Sequence, residues 1–585
     1  MRLVLHFMRP YKLLAALTVI LSFVDVFAAL LIPTYVAHLL NQSAADVAFG
    51  DIAQTCLNMA IASLVAGVGS ILGVYCATRL SAHIAKDIRD ALYTKSLELS
   101  RFDFRRFGTA SMVTRTLNDV VNIQVALTDF IFMMMPVPFV FVIAMTLAFR
   151  LNVTLSWWLV GVLAIVMVIA AFILTQAAPL YRRLQKLLDR IGAVLLENLT
   201  GVRVIRAFGK EDYERERMNT TFRDYANTSI KANRLFANLD GLSYLMINLF
   251  IILVFYLSGS HIAAHEFQIG DIIAMIEYGL MCLMYMMFAQ MIIAMLPRAL
   301  ECCCRVSAVL DYTPEIRDPE PEQAVPLNQL HVPEDGEVLR FDDVRFRYPD
   351  AQEDSLTGIS FTCRAGTTTA IIGSTGSGKS TLASLAMRWH DATEGEVLID
   401  GVDVRRVSQH DLHKAIAYVQ QKAWLFSGTI AENLRYRDDD ANAEDLRHAL
   451  DVAQASEFVS DIPEELDARV AQGGTNFSGG QRQRLSIARA LVGDAQLIIF
   501  DDSFSALDFA TDAKLRAALR DEMGERAVLI IAQRVNTIAH ADQIVVLDEG
   551  RIAGIGTHDE LVEHCDVYRQ IVESQTKQPQ TIGEE

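Results

Sequence analysis

Six long apolar runs fill the first half of this sequence. Each is about as long as the ~20 apolar residues that a helix needs to cross a lipid bilayer. They lie at residues 13–40, 54–78, 129–149, 153–177, 241–264 and 269–297. After about residue 300 no such run recurs, and apolar and polar residues mix as they do in soluble domains. The pattern therefore predicts a membrane domain of six helices followed by a domain of a different kind.

The connections between these runs differ in charge. Those at residues 79–127 and 178–240 are rich in Lys and Arg, whereas those at 41–51 and 259–268 contain neither. Basic connections stay on the cytoplasmic side of a membrane. We therefore expect both long connections and both chain termini to be cytoplasmic, in a multi-pass protein of the cytoplasmic (inner) membrane.

The two basic connections keep a helical pattern well beyond the apolar runs. The pattern continues through residues 80–99 and 181–199, with few Gly or Pro residues to end a helix. A turn-like segment interrupts each connection, at 107–110 and at 208–212. We expect long helices that leave the membrane and end in hairpin tips. These tips either contact the second domain or are simply solvated.

Two prolines and two acidic residues stand out inside the apolar runs. Pro136 and Pro138 predict a kink in the third run. Asp25 and Glu277 are ionisable, and a charge inside a bilayer is tolerated only where it faces protein or water. Glu277 also begins one face of the last predicted helix, which continues with Met281, Met284, Phe288, Met291 and Met295. Because methionine adapts to varied apolar ligands, this face predicts either a cargo surface or packing between helices.

Composition supports more than one domain. The 585 residues exceed what one hydrophobic core organises, 52% of them are hydrophobic, and the mean hydropathy is +0.26. A segment rich in Pro, Glu and Asp separates the two halves and is typical of a linker. The sequence thus predicts a membrane domain at 1–310, a linker at 311–337, a second domain at 338–575 and a polar tail at 576–585.

Charge and cysteine content argue against two classes of function. The net charge of −18 opposes a nucleic-acid partner, because phosphate backbones are bound by clustered Lys and Arg. The eight cysteines have neither disulfide-framework nor zinc spacing, so we expect reduced thiols. Cys302, Cys303 and Cys304 are adjacent, but neighbouring side chains on a helix diverge by about 100° and do not converge on one metal ion.

A phosphate-binding loop is the clearest chemical motif. An apolar run is followed by Gly373, four further residues, and then Gly378, Lys379 and Ser380. Glycines let backbone amides close around a triphosphate, the Lys ammonium adds positive charge, and the Ser hydroxyl can reach Mg²⁺. The predicted nucleotide-binding residues are Gly373, Ser374, Thr375, Gly376, Ser377, Gly378, Lys379, Ser380 and Thr381.

Two further motifs follow the loop. The apolar run at 497–500 ends in Asp501 and Asp502, acids that can hold Mg²⁺. Before it, residues 476–484 read NFSGGQRQR and lead directly into a helical pattern. With these motifs the chain resembles half-transporters of the ABC transporter family with the exporter-type fold. In that fold an all-α membrane domain of six helices precedes an α/β ATP-binding domain, and residues 477–481 match the family's signature motif.

The resemblance implies roles for individual residues. Tyr348 matches the aromatic residue that stacks on adenine, Gln421 matches the lid glutamine, and Asp508 lies in the loop that links two ATP sites. The implied cofactors are ATP and Mg²⁺, with Ser380, Gln421 and Asp501 as metal ligands. ATP sites of this family form between two chains, where the phosphate loop of one faces the signature of the other. The signature residues of this chain are Ser478, Gly479, Gly480 and Gln481.

Two positions depart from the family pattern. Asp502 stands where the family has the glutamate that positions the attacking water, and Gln533 stands where it has a histidine. Aspartate withdraws the carboxylate by about one C–C bond, ~1.5 Å, and losing a positioned base costs typically ~10²–10⁴ in rate. Glutamine donates hydrogen bonds but does not take up a charge. We therefore expect Asp502, Gln533 and Gln421 to be the catalytic residues of a site that hydrolyses ATP slowly.

The simplest hypothesis is a heterodimer. A second, different half-transporter would supply the glutamate and histidine, and this chain would supply its signature motif to that partner's site. A homodimer with two slow sites is the less favoured arrangement. The expected activity is ATP-driven export of small hydrophobic, amphipathic or lipid-like compounds. Two alternatives stay open: an importer of siderophores or metal chelates with the same architecture, and an ATP-binding regulatory subunit that does not pump.

Overall fold

The structure of the protein, a computed structural model, describes residues 2–43, 49–263, 268–326, 329 and 331–576. The chain forms two compact units. One consists of Met1–Glu98 with Arg105–Thr313, and the other of Leu99–Phe104 with Pro314–Glu585. The predicted polar tail at 576–585 lies outside the described residues except for its first residue.

The part of the chain before the linker is helical. Helices α1 to α11 span Arg2–Met8, Lys12–Ser43, Phe49–Glu98, Arg101–Phe107, Thr109–Thr114, Val120–Asp129, Pro136–Leu151, Val153–Thr200, Val202–Ala207, Glu211–Ala263 and Ile269–Leu310. A 3-10 turn at Arg9–Tyr11 and π-helical turns at Arg115–Asp119 and Phe130–Met134 join some of them. Six helical stretches among the described residues are long and apolar enough to cross a membrane. The six predicted spans are thereby confirmed by length and composition.

Glycine and proline mark the breaks that the sequence predicts. Gly108 (φ +77°) separates α4 from α5, and Gly209 (φ +58°) lies between α9 and α10. In the third span, the π-helical turn Phe130–Met134 ends just before Pro136. Proline has no amide to donate, so the helical ladder is interrupted there. Elsewhere the helices are long: α3 has 50 residues and α8 has 48. They extend far beyond their apolar runs, as predicted.

One apolar cluster joins α2, α7, α8, α10 and α11 around Tyr278 and Phe250. Two features bring α2 and α11 close together. Gly270 lies so close to the Ala37 carbonyl that a Cβ atom there would overlap it. The Tyr278 hydroxyl forms a 2.7 Å hydrogen bond with that of Thr34. Because lipid tails are as apolar as this core, close packing and interhelical hydrogen bonds hold such helices together.

A buried ion pair fixes the π-helical turn Arg115–Asp119 against α11. Asp119 is only 1% exposed, and Arg305 donates to its two carboxylate oxygens at 2.8 and 2.6 Å. Arg115 donates to the backbone carbonyl of Arg305 at 3.1 Å. Bidentate pairs of Arg with a carboxylate are strong and directional. This pair therefore sets the register of the third span's helical extension on the last helix.

The second unit is an α/β domain. Strands β1 to β12 span Glu337–Phe346, Leu356–Arg364, Thr368–Gly373, Glu394–Ile399, Val402–Asp403, Ile416–Val419, Gly428–Thr429, Arg469–Val470, Leu497–Asp501, Ala527–Ile531, Gln543–Asp548 and Arg551–Gly556. Helices α12 to α21 span Lys379–Ala386, Gln409–Ala415, Ile430–Arg435, Ala443–Val452, Ser456–Ser460, Gly479–Leu491, Phe509–Met523, Val535–Ile538, His558–His564 and Asp566–Thr576. The predicted fold class, an all-α membrane domain followed by an α/β domain, is confirmed.

The main sheet of this unit has the strand order β12-β11-β3-β10-β9-β6. It is parallel from β11 to β6, and β12 pairs antiparallel at its edge. Successive residues of β3 pack on opposite faces of the sheet. Ile371 lies in one apolar cluster and Ile372 in another. Both faces of the sheet are therefore buried, which explains the continuous apolar runs of its strands. A four-stranded antiparallel sheet, β2-β1-β4-β5, packs beside it.

The Asp119–Arg305 pair predicts an asymmetric response to substitution. Arg305→Met should destabilise the first unit toward the lower end of the ~3–5 kcal/mol seen when one partner of a buried pair is removed. Asp119→Asn should cost less, because the Arg305 side chain is 42% exposed and can turn to water. Thermal unfolding of the detergent-solubilised chain measures both variants and the double variant. Equal losses for the two single variants would contradict this description.

Candidate nucleotide-binding site

Four parallel strands of the main sheet deliver the candidate residues to one edge. The phosphate loop follows β3, Asp501 ends β9, Gln533 comes shortly after β10, and Gln421 comes shortly after β6. The carboxyl ends of parallel strands meet at the same edge of a sheet, where ligands of such folds bind. The structure thus brings together residues that lie as far apart as 373 and 533.

The glycines of the phosphate loop occupy positions that suit no other residue. Gly376 and Gly378 have φ values of +88° and +99°. A Cβ atom at Gly378 would lie 2.6 Å from Leu356 Cδ2, and one at Gly373 would overlap the Leu547 carbonyl. The loop can therefore close tightly only with glycine at these positions. The loop leads directly into the N-terminus of α12, and a helix N-terminus is a favourable place for an anion.

Lys379 closes the loop from inside. Its ammonium donates to the backbone carbonyls of Gly373 and Ser374 at 2.9 and 2.7 Å. The residue is buried, and burial lowers the pKa of its ammonium. The ammonium is held by two carbonyls and the Ser377 hydroxyl, and none of these carries the negative charge that a phosphate would offer it. Lys379 and the glycine cradle therefore fit a triphosphate.

Beside the loop lies a cluster of oxygen atoms. The Ser380 hydroxyl donates to Asp501 Oδ1 at 3.1 Å, and the Tyr418 hydroxyl donates to Asp501 Oδ2 at 2.9 Å. A hydroxyl and a carboxylate in contact are the hard oxygen ligands that Mg²⁺ prefers. Ser380 and Asp501 thus fit the predicted metal site. Sequence reasoning missed Tyr418, whose position on β6 reaches Asp501 only because β6 pairs with β9.

The two residues that depart from the family pattern touch each other. Gln533 donates to Asp502 Oδ2 at 2.9 Å, and Gln421 donates to the same oxygen at 3.0 Å. Asp502 itself has a left-handed backbone, φ +46°, and its amide donates to the Ile531 carbonyl at 2.8 Å. Burial raises the pKa of the Asp502 carboxyl, and the hydrogen bond from Gln421 opposes that rise. We refer to Asp502, Gln421 and Gln533 together as the Asp502 triad.

Tyr348 lies beside the phosphate loop. Its hydroxyl forms a 3.1 Å hydrogen bond with Thr381, and its ring packs edge-on against Phe346 and His390. His390 also contacts Phe102, with ring centroids 6.3 Å apart. Phe102 belongs to Leu99–Phe104, the short segment that clusters with the second unit. The turn-like segments at 107–110 and 208–212 both belong to the first unit.

The signature motif lies at an exposed helix start. Ser478 and Gln481 form a capping box at the N-terminus of α17, with hydrogen bonds of 2.9 and 3.2 Å. Phe477 is buried and anchors the motif, while Ser478 and Gly479 are exposed. Asp508 caps α18 through Thr511, whose backbone amide lowers the pKa of the Asp508 carboxyl. An exposed helix N-terminus presents free amides to an anion outside the chain.

The predicted methionine face of α11 is only partly covered in the described chain: Met281 packs against the membrane-domain core, and Phe288 and Met295 are half-buried. Glu277 is exposed, and Met284 and Met291 are 44% and 56% exposed. The opposite face of the helix, with Met275 and Tyr278, is buried in the membrane-domain core. Packing within the chain therefore accounts for Met281, while Met284 and Met291 remain available to a cargo. Asp25, by contrast, lies half-buried against Gly69 of the second span.

Comparisons with known proteins agree with this site. A family profile described as "ABC transporter transmembrane region" matches residues 15–288, and one described as "ABC transporter" matches residues 356–505. An uncharacterized ABC transporter ATP-binding protein of Mycobacterium tuberculosis is 38% identical over 576 residues, which cover 97% of both chains. An ATP-dependent lipid A-core flippase of Pseudomonas fluorescens is 33% identical over 527 residues, which cover 86% of this chain and 82% of the flippase.

A solved structure shares the whole architecture. It is a bacterial Atm1-family ABC exporter with ATP bound, and it superposes with a TM-score of 0.81 at 24% sequence identity. The match covers 98% of this chain and 99% of the exporter. At this identity the likeness establishes the fold.

The geometry of the phosphate loop predicts how two glycine substitutions differ. Gly376→Ala meets no atom within 4 Å, so only its left-handed backbone is strained, and ATP binding should weaken by about 5–30-fold, from ~1–2 kcal/mol of strain. Gly378→Ala adds a collision with Leu356 and should weaken binding further. Equilibrium dialysis with radiolabelled ATP and no Mg²⁺ measures both. Wild-type affinity in Gly378→Ala would contradict the tight closure of the loop.

Proposed function

Because this chain belongs to the ABC transporter family, we propose that it is the slow-site half of a heterodimeric exporter. The observation that carries the proposal is the Asp502 triad. The phosphate loop and the metal ligands are intact beside it. A site of this kind binds ATP well and hydrolyses it slowly, and a different partner chain would provide the fast site.

The triad explains why hydrolysis here would be slow. Gln421 and Gln533 both donate to the same oxygen of Asp502, at 3.0 and 2.9 Å. An oxygen that already accepts two hydrogen bonds is a weaker acceptor for a water proton. The aspartate carboxylate also lies about one C–C bond, ~1.5 Å, nearer the backbone than a glutamate carboxylate would. Gln533 cannot take up a proton or a charge as histidine can.

Nucleotide binding is the part of the function that this chain retains. Lys379 and the loop amides would hold the phosphates, and Tyr348 would stack on the base. Ser380 and Asp501, 3.1 Å apart, would hold Mg²⁺, with Gln421 as a further ligand. The metal would neutralise charge on the phosphates. The amide oxygen of Gln421 would hold the metal while its amide nitrogen keeps its hydrogen bond to Asp502.

The signature motif supports a site shared between two chains. Its exposed helix N-terminus, at Ser478 and Gly479, points at no anion of its own chain among the described hydrogen bonds. Facing a partner's ATP, these amides would complete that partner's site. Asp508 lies at a second exposed helix start, from which it can link the two sites. The chain therefore contributes to fast hydrolysis in its partner and less in its own site.

The exposed methionine face supports transport of apolar or amphipathic compounds. Glu277 gives it one charge, and Met284 and Met291 give it adaptable apolar surface. One relative over most of the chain is named a lipid A-core flippase, which agrees with a lipid-like cargo and with export. The basic connections favour cytoplasmic termini and an inner-membrane location.

A row of aromatic side chains would connect the nucleotide site to the segment that follows α3. Phe102 contacts His390, and His390 contacts Tyr348 with ring centroids 5.5 Å apart. Phe102 lies just after the end of α3, the long extension of the second span. A shift of the Tyr348 ring on ATP binding would therefore displace His390 and Phe102, and with them the segment just after α3.

The slow-site proposal predicts the ATPase rate of the purified chain without a partner. The wild-type chain should hydrolyse ATP only slightly faster than Lys379→Ala. The double variant Asp502→Glu with Gln533→His restores the family pattern and should raise the rate by at least about tenfold, within the ~10²–10⁴ that a positioned base supplies. Phosphate release by the detergent-solubilised chain measures all three.

Asp502→Asn is the matched control, because it keeps the size and the amide contacts and removes the carboxylate. It should leave the slow rate nearly unchanged. Fast hydrolysis by the wild-type chain that collapses in Asp502→Asn would show that Asp502 is a working base. The slow-site proposal would then be wrong.

A further inference from the structure

An apolar cavity lies between the N-terminal helix and four spans of the first unit. Its volume is about 330 Å³. Helix α1 lines it with Leu5, α2 with Val19, the third span with Ile123 and Phe130, and α11 with Leu296 and Ala299. This volume falls at the lower end of the ~300–1,000 Å³ typical of small-molecule sites. The π-helical turn that begins at Phe130 widens the third span beside the cavity.

The lining of this cavity has almost no group that could form a hydrogen bond with water. Its one hydroxyl, on Thr18, already donates to the Leu14 carbonyl of the same helix at 2.8 Å. The remaining lining side chains are hydrocarbon, apart from the sulfur atoms of methionines and of Cys303. Cavities without polar partners stay dry and accept apolar ligands. The cavity therefore suits a hydrocarbon chain.

A second, polar cavity adjoins the first, and Leu5 lines both. Its volume is about 750 Å³. The charged and titratable groups that face it are Arg2, His6 and Arg9 from the N-terminal segment and Asp311 from the end of α11. Among the described residues, no ion pair involves either Arg2 or Arg9, and both are exposed. Two guanidinium groups thus face one carboxylate.

We propose that these joined cavities bind an anionic phospholipid. One acyl chain occupies the apolar cavity, and the phosphate lies between Arg2 and Arg9. Guanidinium groups bind phosphate oxygens in pairs, and the two cations stand at the mouth of a slot that only hydrocarbon fills. Neither a free phosphate nor a neutral apolar compound satisfies both cavities.

This site is separate from the methionine face and from the ATP site. None of Glu277, Met284 and Met291 lines either cavity. The lipid would hold the N-terminal helix against the third and last spans, so it acts as a bound component of the membrane domain. The inference does not depend on the proposed direction of transport.

Photo-crosslinking with lipid probes tests the site. The full-length chain is placed in nanodiscs of phosphatidylcholine and given a trace of phosphatidylglycerol or phosphatidylcholine, each with a photoreactive group on one acyl chain. A hexadecanol probe with the same group is the uncharged comparison. Mass spectrometry locates the labelled peptides. The phosphatidylglycerol probe should label 2–8, 123–135 and 296–303 saturably, and about 25-fold more than the phosphatidylcholine probe, since each of two cations contributes a factor of about five toward anionic lipid.

Three double variants distinguish headgroup from chain. Arg2→Gln with Arg9→Gln should reduce phosphatidylglycerol labelling to the phosphatidylcholine level, and Arg2→Lys with Arg9→Lys should restore most of it. Ala126→Leu with Ala299→Leu fills the apolar cavity and should abolish labelling by both lipids. The matched controls are Arg79→Gln and Ala60→Leu, which change exposed residues outside both cavities and should have no effect.

Three results would overturn the proposal. Equal labelling by both lipids in the wild-type chain would mean that the headgroup is not recognised. Equal labelling by hexadecanol would identify an apolar cargo pocket. Competition by inorganic phosphate at millimolar concentration would identify a free anion as the ligand.

Discussion

The hydrogen-bonded pairing of β3, β10, β9 and β6 as parallel neighbours is the constraint on which the ATP-binding half depends. Parallel pairing puts the carboxyl ends of all four strands at one edge, so the residues that follow them meet whatever their distance in sequence. The phosphate loop follows β3, Asp501 and Asp502 lie at the end of β9, and Gln533 and Gln421 follow β10 and β6. Both faces of this sheet are buried, which fixes the strand register to which these contacts are tied.

At that edge the proposed nucleotide-binding residues lie beside the proposed catalytic ones. The phosphate loop has no room for a Cβ atom at Gly373 or Gly378. Asp502 and Gln533 differ from the family pattern, yet they are joined by a 2.9 Å hydrogen bond. Two departures that form a contact are better explained as one joint change than as two independent losses. The triad gives Asp502 a structural role as the acceptor that holds Gln421 and Gln533 together.

Much of this was predictable from the sequence, for physical reasons that differ by region. Apolar runs near 20 residues long identify membrane helices because the bilayer sets their length, and Gly108, Gly209 and Pro136 mark the breaks. The phosphate loop could be read because its glycines are sterically required. The contacts of Tyr418 with Asp501 and of His390 with Phe102 could not be predicted from the sequence. They depend on strand order and on the segment at 99–104, which leave no local pattern in the sequence.

The central claim is that this chain works as one half of an asymmetric pair. The most direct test is to purify it by an affinity tag from the membrane of the cell that naturally expresses it, and to measure subunit composition by intact mass. The account predicts a second ABC half-transporter in equal amount, with glutamate and histidine at the positions equivalent to Asp502 and Gln533. A complex that contains only copies of this chain would contradict it.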